Sequence, residues 1–80
     1  MPYIESGVRA SIEDGRKPLK AGELNYAISQ LLRSYVSMRG LSYGTINDIV
    51  GVLSCLSMEF YARIARPYED TKIRENGDVW

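Results

Sequence analysis

The stretch from Thr45 to Arg66, TINDIVGVLSCLSMEFYARIAR, is the longest periodic segment of the chain. Ile46, Ile49, Val50, Leu53, Leu56, Phe60 and Ile64 recur at steps of three and four. That spacing lines them up on one face of an α-helix. Thr45, with Asp48 three residues on, offers a start resembling a capping box. Pro67 offers a stop, because the residue before a proline is pushed out of helical geometry. A long helix with so wide an apolar face has to be packed against something.

A second amphipathic segment runs over 22–39. Leu24, Ala27, Ile28, Leu31, Tyr35 and Met38 form its stripe, Gly22 is a tolerable N-cap, and Glu23 suits the positive end of the helix dipole. Arg39 and Gly40 close it. Leu41 to Gly44 is a tight connection, so the segments 22–39 and 45–66 are expected to be antiparallel neighbours with facing stripes. Pro67 suits the first position of a third, short helix over 67–76, with Glu69 and Asp70 in its first turn and Asn76-Gly77 as its stop. Residues 1–20 are the least regular. Met1 to Ile4 reads as extended, Val8 to Asp14 as a short helix, and Arg16 to Lys20 as a basic connector. Trp80 is expected to pack on the chain or on a neighbour, since an exposed tryptophan is costly.

The pattern predicts an all-α protein, and its 80 residues allow one small domain, 1–80. A domain of this size buries only about 60% of the surface its unfolded chain exposes and needs support from disulfides, metals or assembly. Cys55 is the only cysteine and there is no histidine. An internal disulfide is therefore impossible, and neither a usual zinc site nor another cofactor is expected. Assembly is what remains, and the expected product is a homo-oligomeric bundle. Gly51, Ser54, Cys55 and Met58 form a row of mostly small residues beside the main stripe. Such a row suits close approach by a symmetry-related helix, or equally by the 22–39 helix of the same chain.

Ten basic and ten acidic side chains cancel. Duplex nucleic acid is not an expected partner without a basic surplus. No apolar run has the length of a membrane span, and the N-terminus lacks the charged start and apolar core of a signal peptide. The expected setting is the cytoplasm.

Catalytic parts are scarce. No histidine can activate Cys55, no phosphate-binding glycine loop is present, and no two carboxylates pair convincingly. The expectation is a protein that is not an enzyme. Groups that bind anions are better supplied, with six tyrosines in the chain. Tyrosine gives a flat face for a base and a hydroxyl for phosphate, while arginine gives a planar fork for phosphate oxygens. The candidate ligand-binding residues are Asn25, Tyr26, Arg33, Tyr61, Arg63, Arg66, Tyr68 and Lys72. Arg33, Arg63, Arg66 and Lys72 would meet phosphates, Tyr26, Tyr61 and Tyr68 would stack or hydrogen-bond, and Asn25 would read a base edge. The competing reading leaves tyrosines on core edges and arginines as surface charges.

Several stretches resemble a family of small phage and prophage proteins. They are Met1-Pro2-Tyr3-Ile4, Gly22-Glu23-Leu24-Asn25-Tyr26-Ala27-Ile28, Tyr43 with Ile46-Asn47-Asp48 and Gly51-Val52-Leu53, and Glu59-Phe60-Tyr61-Ala62-Arg63. The closing run Pro67-Tyr68-Glu69-Asp70, Lys72-Ile73 and Glu75-Asn76-Gly77-Asp78-Val79 is the most specific. The likeness covers nearly the whole chain and is weakest over 5–21. Small helical phage proteins of this size include oligomeric sponges that capture cyclic-nucleotide or ADP-ribose-derived signals of bacterial defence. The resemblance implies such a role by analogy of size, origin and residue supply. The alternative is a phage protein without a small ligand, structural or directed at a host protein.

Overall fold

The computed structural model describes residues 4–78, so the expectations for Met1 to Tyr3 and for Trp80 lie outside the described residues. The chain is all-helical, and no strand occurs among the described residues. The elements are α1 (Ser6–Glu13), α2 (Ala21–Arg39), α3 (Tyr43–Phe60), a π-helical turn (Tyr61–Ala65) and α4 (Arg66–Asn76). Two compact units result, 1–45 and 46–80.

In the first unit, α1 packs on α2. Ile12 is the buried apolar residue at this contact, 8% exposed. The contact is fastened at its loop by Glu23, the most buried charged side chain among the described residues. Arg16 Nη2 donates to Glu23 Oε1 at 3.1 Å, and the Leu19 N–H donates to the same oxygen at 3.2 Å. Glu23 thus does more than complement the α2 dipole: it ties down the basic connector. α2 starts one residue before the expected 22–39 range, and its N-cap lies two residues before the expected Gly22. Lys20 is its N-cap, in extended geometry and with no side-chain cap bond, and Gly22 is already helical.

The α2–α3 connection is built on a short hydrogen-bond relay. Gly40 ends α2 at φ 87°, ψ 147°, a region that L side chains rarely adopt, and its N–H closes the helix on the Val36 carbonyl at 2.8 Å. Ser42 caps α3: its Oγ accepts the Thr45 N–H at 3.1 Å, which satisfies a backbone donor of the first turn. The Ser42 hydroxyl donates to Thr45 Oγ1 at 3.2 Å, and the Thr45 hydroxyl donates to the Gly40 carbonyl at 2.8 Å. This corrects the expectation that Thr45 opens the helix with Asp48. Thr45 is helical and buried, and the cap lies three residues earlier.

In the second unit Pro67 does not stop the helix. Ala65 and Arg66 keep right-handed helical dihedrals, and the Arg66 N–H bonds to the Tyr61 carbonyl, five residues back. A proline inside a regular α-helix would drive its ring into the carbonyl four residues earlier, here that of Arg63. Widening the preceding turn to π-helix changes that register and lets helix run on through the proline.

The apolar side chains of α2 and α3 stay largely open. Leu31 is 72% exposed and Met38 85%, while Val50 is 58% and Phe60 63%. No helix among the described residues is long and apolar enough to cross a membrane.

Candidate functional site

The eight candidate residues fall into the two units. Asn25, Tyr26 and Arg33 lie on α2 in the first. Tyr61, Arg63, Arg66, Tyr68 and Lys72 lie on the π turn and α4 in the second.

On α2, Asn25 Oδ1 accepts the Ser29 hydroxyl at 3.3 Å, within the helix. Tyr26 reaches back to α1 and donates its hydroxyl to Glu13 Oε1 at 2.6 Å. That bond to a carboxylate stabilises the protonated phenol, and the Tyr26 pKa is raised above the ordinary 10.0. Arg33 lines a shallow, mostly apolar groove with Leu32, Val36 and Ser37. Tyr26 is therefore committed to holding α1 on α2, and Asn25 to its own helix.

The second cluster owes its geometry to the π turn. In a regular α-helix, residues eight apart are rotated by about 80° from each other, and residues five apart by about 140°. One extra residue in the turn removes about 100° of that rotation. Glu69 then stands nearly in line with Tyr61 two turns on, and Arg66 sits where an i+4 neighbour would. The contacts follow. Tyr61 Oη is 3.0 Å from both Glu69 carboxylate oxygens. The Arg66 guanidinium lies over the Tyr61 ring, 5.7 Å from its centroid, a cation–π arrangement. The Glu69 bond raises the Tyr61 pKa.

Other cations of the cluster are engaged. Arg63 Nε donates to Glu59 Oε2 at 2.6 Å, an exposed pair at i,i+4. Lys72 Nζ lies 3.5 Å from Glu75 Oε2 and 5.5 Å from the Tyr68 ring centroid. Among the described residues Arg66 has no carboxylate partner. It borders a shallow groove with Ser57, Met58, Tyr61 and Ala62, whose surface is mainly apolar. Of the eight candidates, Tyr61 and Arg66 are the two that combine an aromatic ring, a cation without a carboxylate and an apolar floor. No group of three or more His, Cys, Asp or Glu able to hold a metal occurs among the described residues.

The sequence reading missed the acceptors, Glu13 for Tyr26 and Glu69 for Tyr61. Glu13 sits on another element. Glu69 is out of phase with Tyr61 unless the π turn is known.

The model of the family described as Domain of unknown function (DUF6899) matches residues 1–79. The chain belongs to that family. No curated protein and no solved structure matches it. The match takes in the closing Pro67–Val79 run.

Proposed function

We propose that this chain is a non-enzymatic binding protein that captures a small anionic nucleotide and holds it without turnover. The observation that carries this reading is Arg66 stacked on Tyr61 beside the groove of Ser57, Met58 and Ala62. The groove gives a base an apolar floor and an aromatic edge, and Arg66 keeps guanidinium N–H groups available to phosphate. Arg63 and Lys72, paired with Glu59 and Glu75, would exchange these carboxylates for phosphate. Tyr68 completes the binding set in the second unit, and the protein acts as an assembled homo-oligomer.

The resemblance to phage proteins supports a ligand among the cyclic-nucleotide or ADP-ribose-derived signals of bacterial defence, with the host cytoplasm as the proposed place of action. Sequestration needs affinity and no general base, which suits a chain without histidine. A second reading, a protein-interaction role, is favoured by the open apolar side chains of α3.

The test is native mass spectrometry of the purified protein with a pool of cyclic di- and trinucleotides and cyclic ADP-ribose isomers. A discrete added mass, released unchanged on denaturation and lost in Arg66→Ala, is the expected result. No added mass from any member of the pool moves the assignment to protein interaction.

A further inference from the structure

Opposite charges stand along one side chain, that of Tyr61. The Arg66 guanidinium lies over its ring, 5.7 Å from the centroid, and the Glu69 carboxylate accepts its hydroxyl. Both Glu69 oxygens are 3.0 Å from Tyr61 Oη. A phenol has one hydrogen to give. With that hydrogen given to Glu69, Tyr61 offers a ligand its ring face and an oxygen that accepts, but no donor for phosphate.

The cation count beside the groove is equally restrictive. Arg63 is held by Glu59 and Lys72 by Glu75. Arg66 is left to meet an anion, beside a groove whose surface is mainly apolar. Attraction to one guanidinium grows in proportion to the charge of the ligand. The cost of drawing that charge out of water grows as its square, so a second charge needs a second cation. A phosphate with one ester link carries close to two negative charges at neutral pH, its second pKa being about 6. A phosphate esterified on both sides carries one. The extra charge of the monoester finds a further cation only by displacing Glu59 or Glu75, and it also meets Glu69 at the far end of the same tyrosine.

We propose that the Tyr61–Arg66 groove takes a phosphate esterified on both sides, and that Glu69 is the residue that turns away a terminal phosphate. The inference rests on the proposed capture of a nucleotide. It adds the phosphate chemistry that the groove accepts, and it gives Glu69, which is absent from the binding set, a part in specificity. Glu69 acts on the ligand through its charge, and on the ring through the bond that aims it. Glu69→Gln separates the two effects, because the glutamine amide oxygen still accepts the Tyr61 hydroxyl while the charge is gone.

Titrations of the full chain with a nucleoside monophosphate and with its methyl ester, for each of the four RNA bases, test this. The members of a pair differ by one charge and one methyl group. NMR signals of the Arg66 Nε–H and of the Tyr61 ring report binding at this groove. In low salt the methyl ester should bind several-fold more tightly than the monophosphate. In Glu69→Gln that gap should narrow, because the monophosphate gains. Circular dichroism checks that the variant keeps its helices, and the wild-type comparison stands without it. Equal affinity within the pairs, or tighter binding of the monophosphate, overturns the inference and leaves nucleotide capture standing. An undiminished gap in folded Glu69→Gln overturns the role of Glu69. Should no member of any pair move the Arg66 or Tyr61 signals at millimolar concentration, nucleotide capture at this groove falls, and the inference falls with it.

Discussion

Tyr61 donates its phenolic hydrogen to the carboxylate of Glu69, eight residues along the chain, across a π-helical turn that ends just before Pro67. Neither residue is near the other's usual helical phase, and the contact exists because the backbone takes in one extra residue between them.

That contact fixes a titration. The Glu69 bond holds the Tyr61 proton, so the phenol ionises above its ordinary value of 10.0. A folded-state pKa raised above the unfolded one gives stability that is whole below the unfolded value and is lost as pH rises through the folded value. Glu69→Gln should lower the Tyr61 pKa toward the ordinary value. Phenolate absorbance, taken as the difference between each protein and its Tyr61→Phe counterpart, reads this directly. An unmoved transition in Glu69→Gln would show that the carboxylate does not hold the proton.

Pro67→Ala removes the ring that the widened turn accommodates. The turn should relax to α-helix and swing Glu69 out of line by about 100°. The expected signatures are a Tyr61 pKa back at its ordinary value and a protein no less helical by circular dichroism. Retention of the raised pKa in Pro67→Ala would mean that residues Tyr61 to Ala65 hold the π geometry on their own.

The α1–α2 contact should depend on Glu23 more than on any exposed charge. Glu23→Ala leaves the Leu19 N–H and the Arg16 guanidinium without their acceptor, at a cost of about 1–3 kcal/mol. Breaking the exposed Glu59–Arg63 pair by Glu59→Ala should cost only a few tenths of a kcal/mol. Urea denaturation followed by circular dichroism compares the two. Equal losses would refute the fastening role of Glu23.

At the other loop, Ser42→Ala removes the α3 cap, worth about 1 kcal/mol. Gly40→Ala should cost about 1–3 kcal/mol, because alanine is strained at φ 87° even though the space beside the glycine is open. Thermal unfolding of both variants should show lowered midpoints. An unchanged midpoint for Gly40→Ala would mean that the loop relaxes to another conformation at no cost.

The helices themselves were legible from periodicity, because an apolar stripe at steps of three and four is a direct imprint of 3.6 residues per turn. The cap at Ser42 was not. Ser42 and Thr45 are both good capping residues, and only the relay through the Gly40 carbonyl decides between them. Pro67 was misread for a related reason. Proline forbids a regular α-helical turn before it but not a π-helical one, and residue statistics carry little sign of so rare a turn. Tyr61 and Arg66 could be picked from residue chemistry, but their pairing depends on that same turn. Arg63 could be picked as well, yet its carboxylate neighbour Glu59 was also visible at i,i+4.

The extra residue of Tyr61 to Ala65 also acts as a phase break. A regular helix from Tyr43 to Asn76 would wind one continuous pattern of faces from end to end. Inserting a single residue twists everything beyond Ala65 by about a quarter-turn against what precedes it. The line that ends at Ile64 is not continued by α4, and the charged surface of α4 is turned to a direction of its own. A segment so divided can lay its apolar length against one neighbour and offer its polar end to a second, with neither surface competing for the other's side.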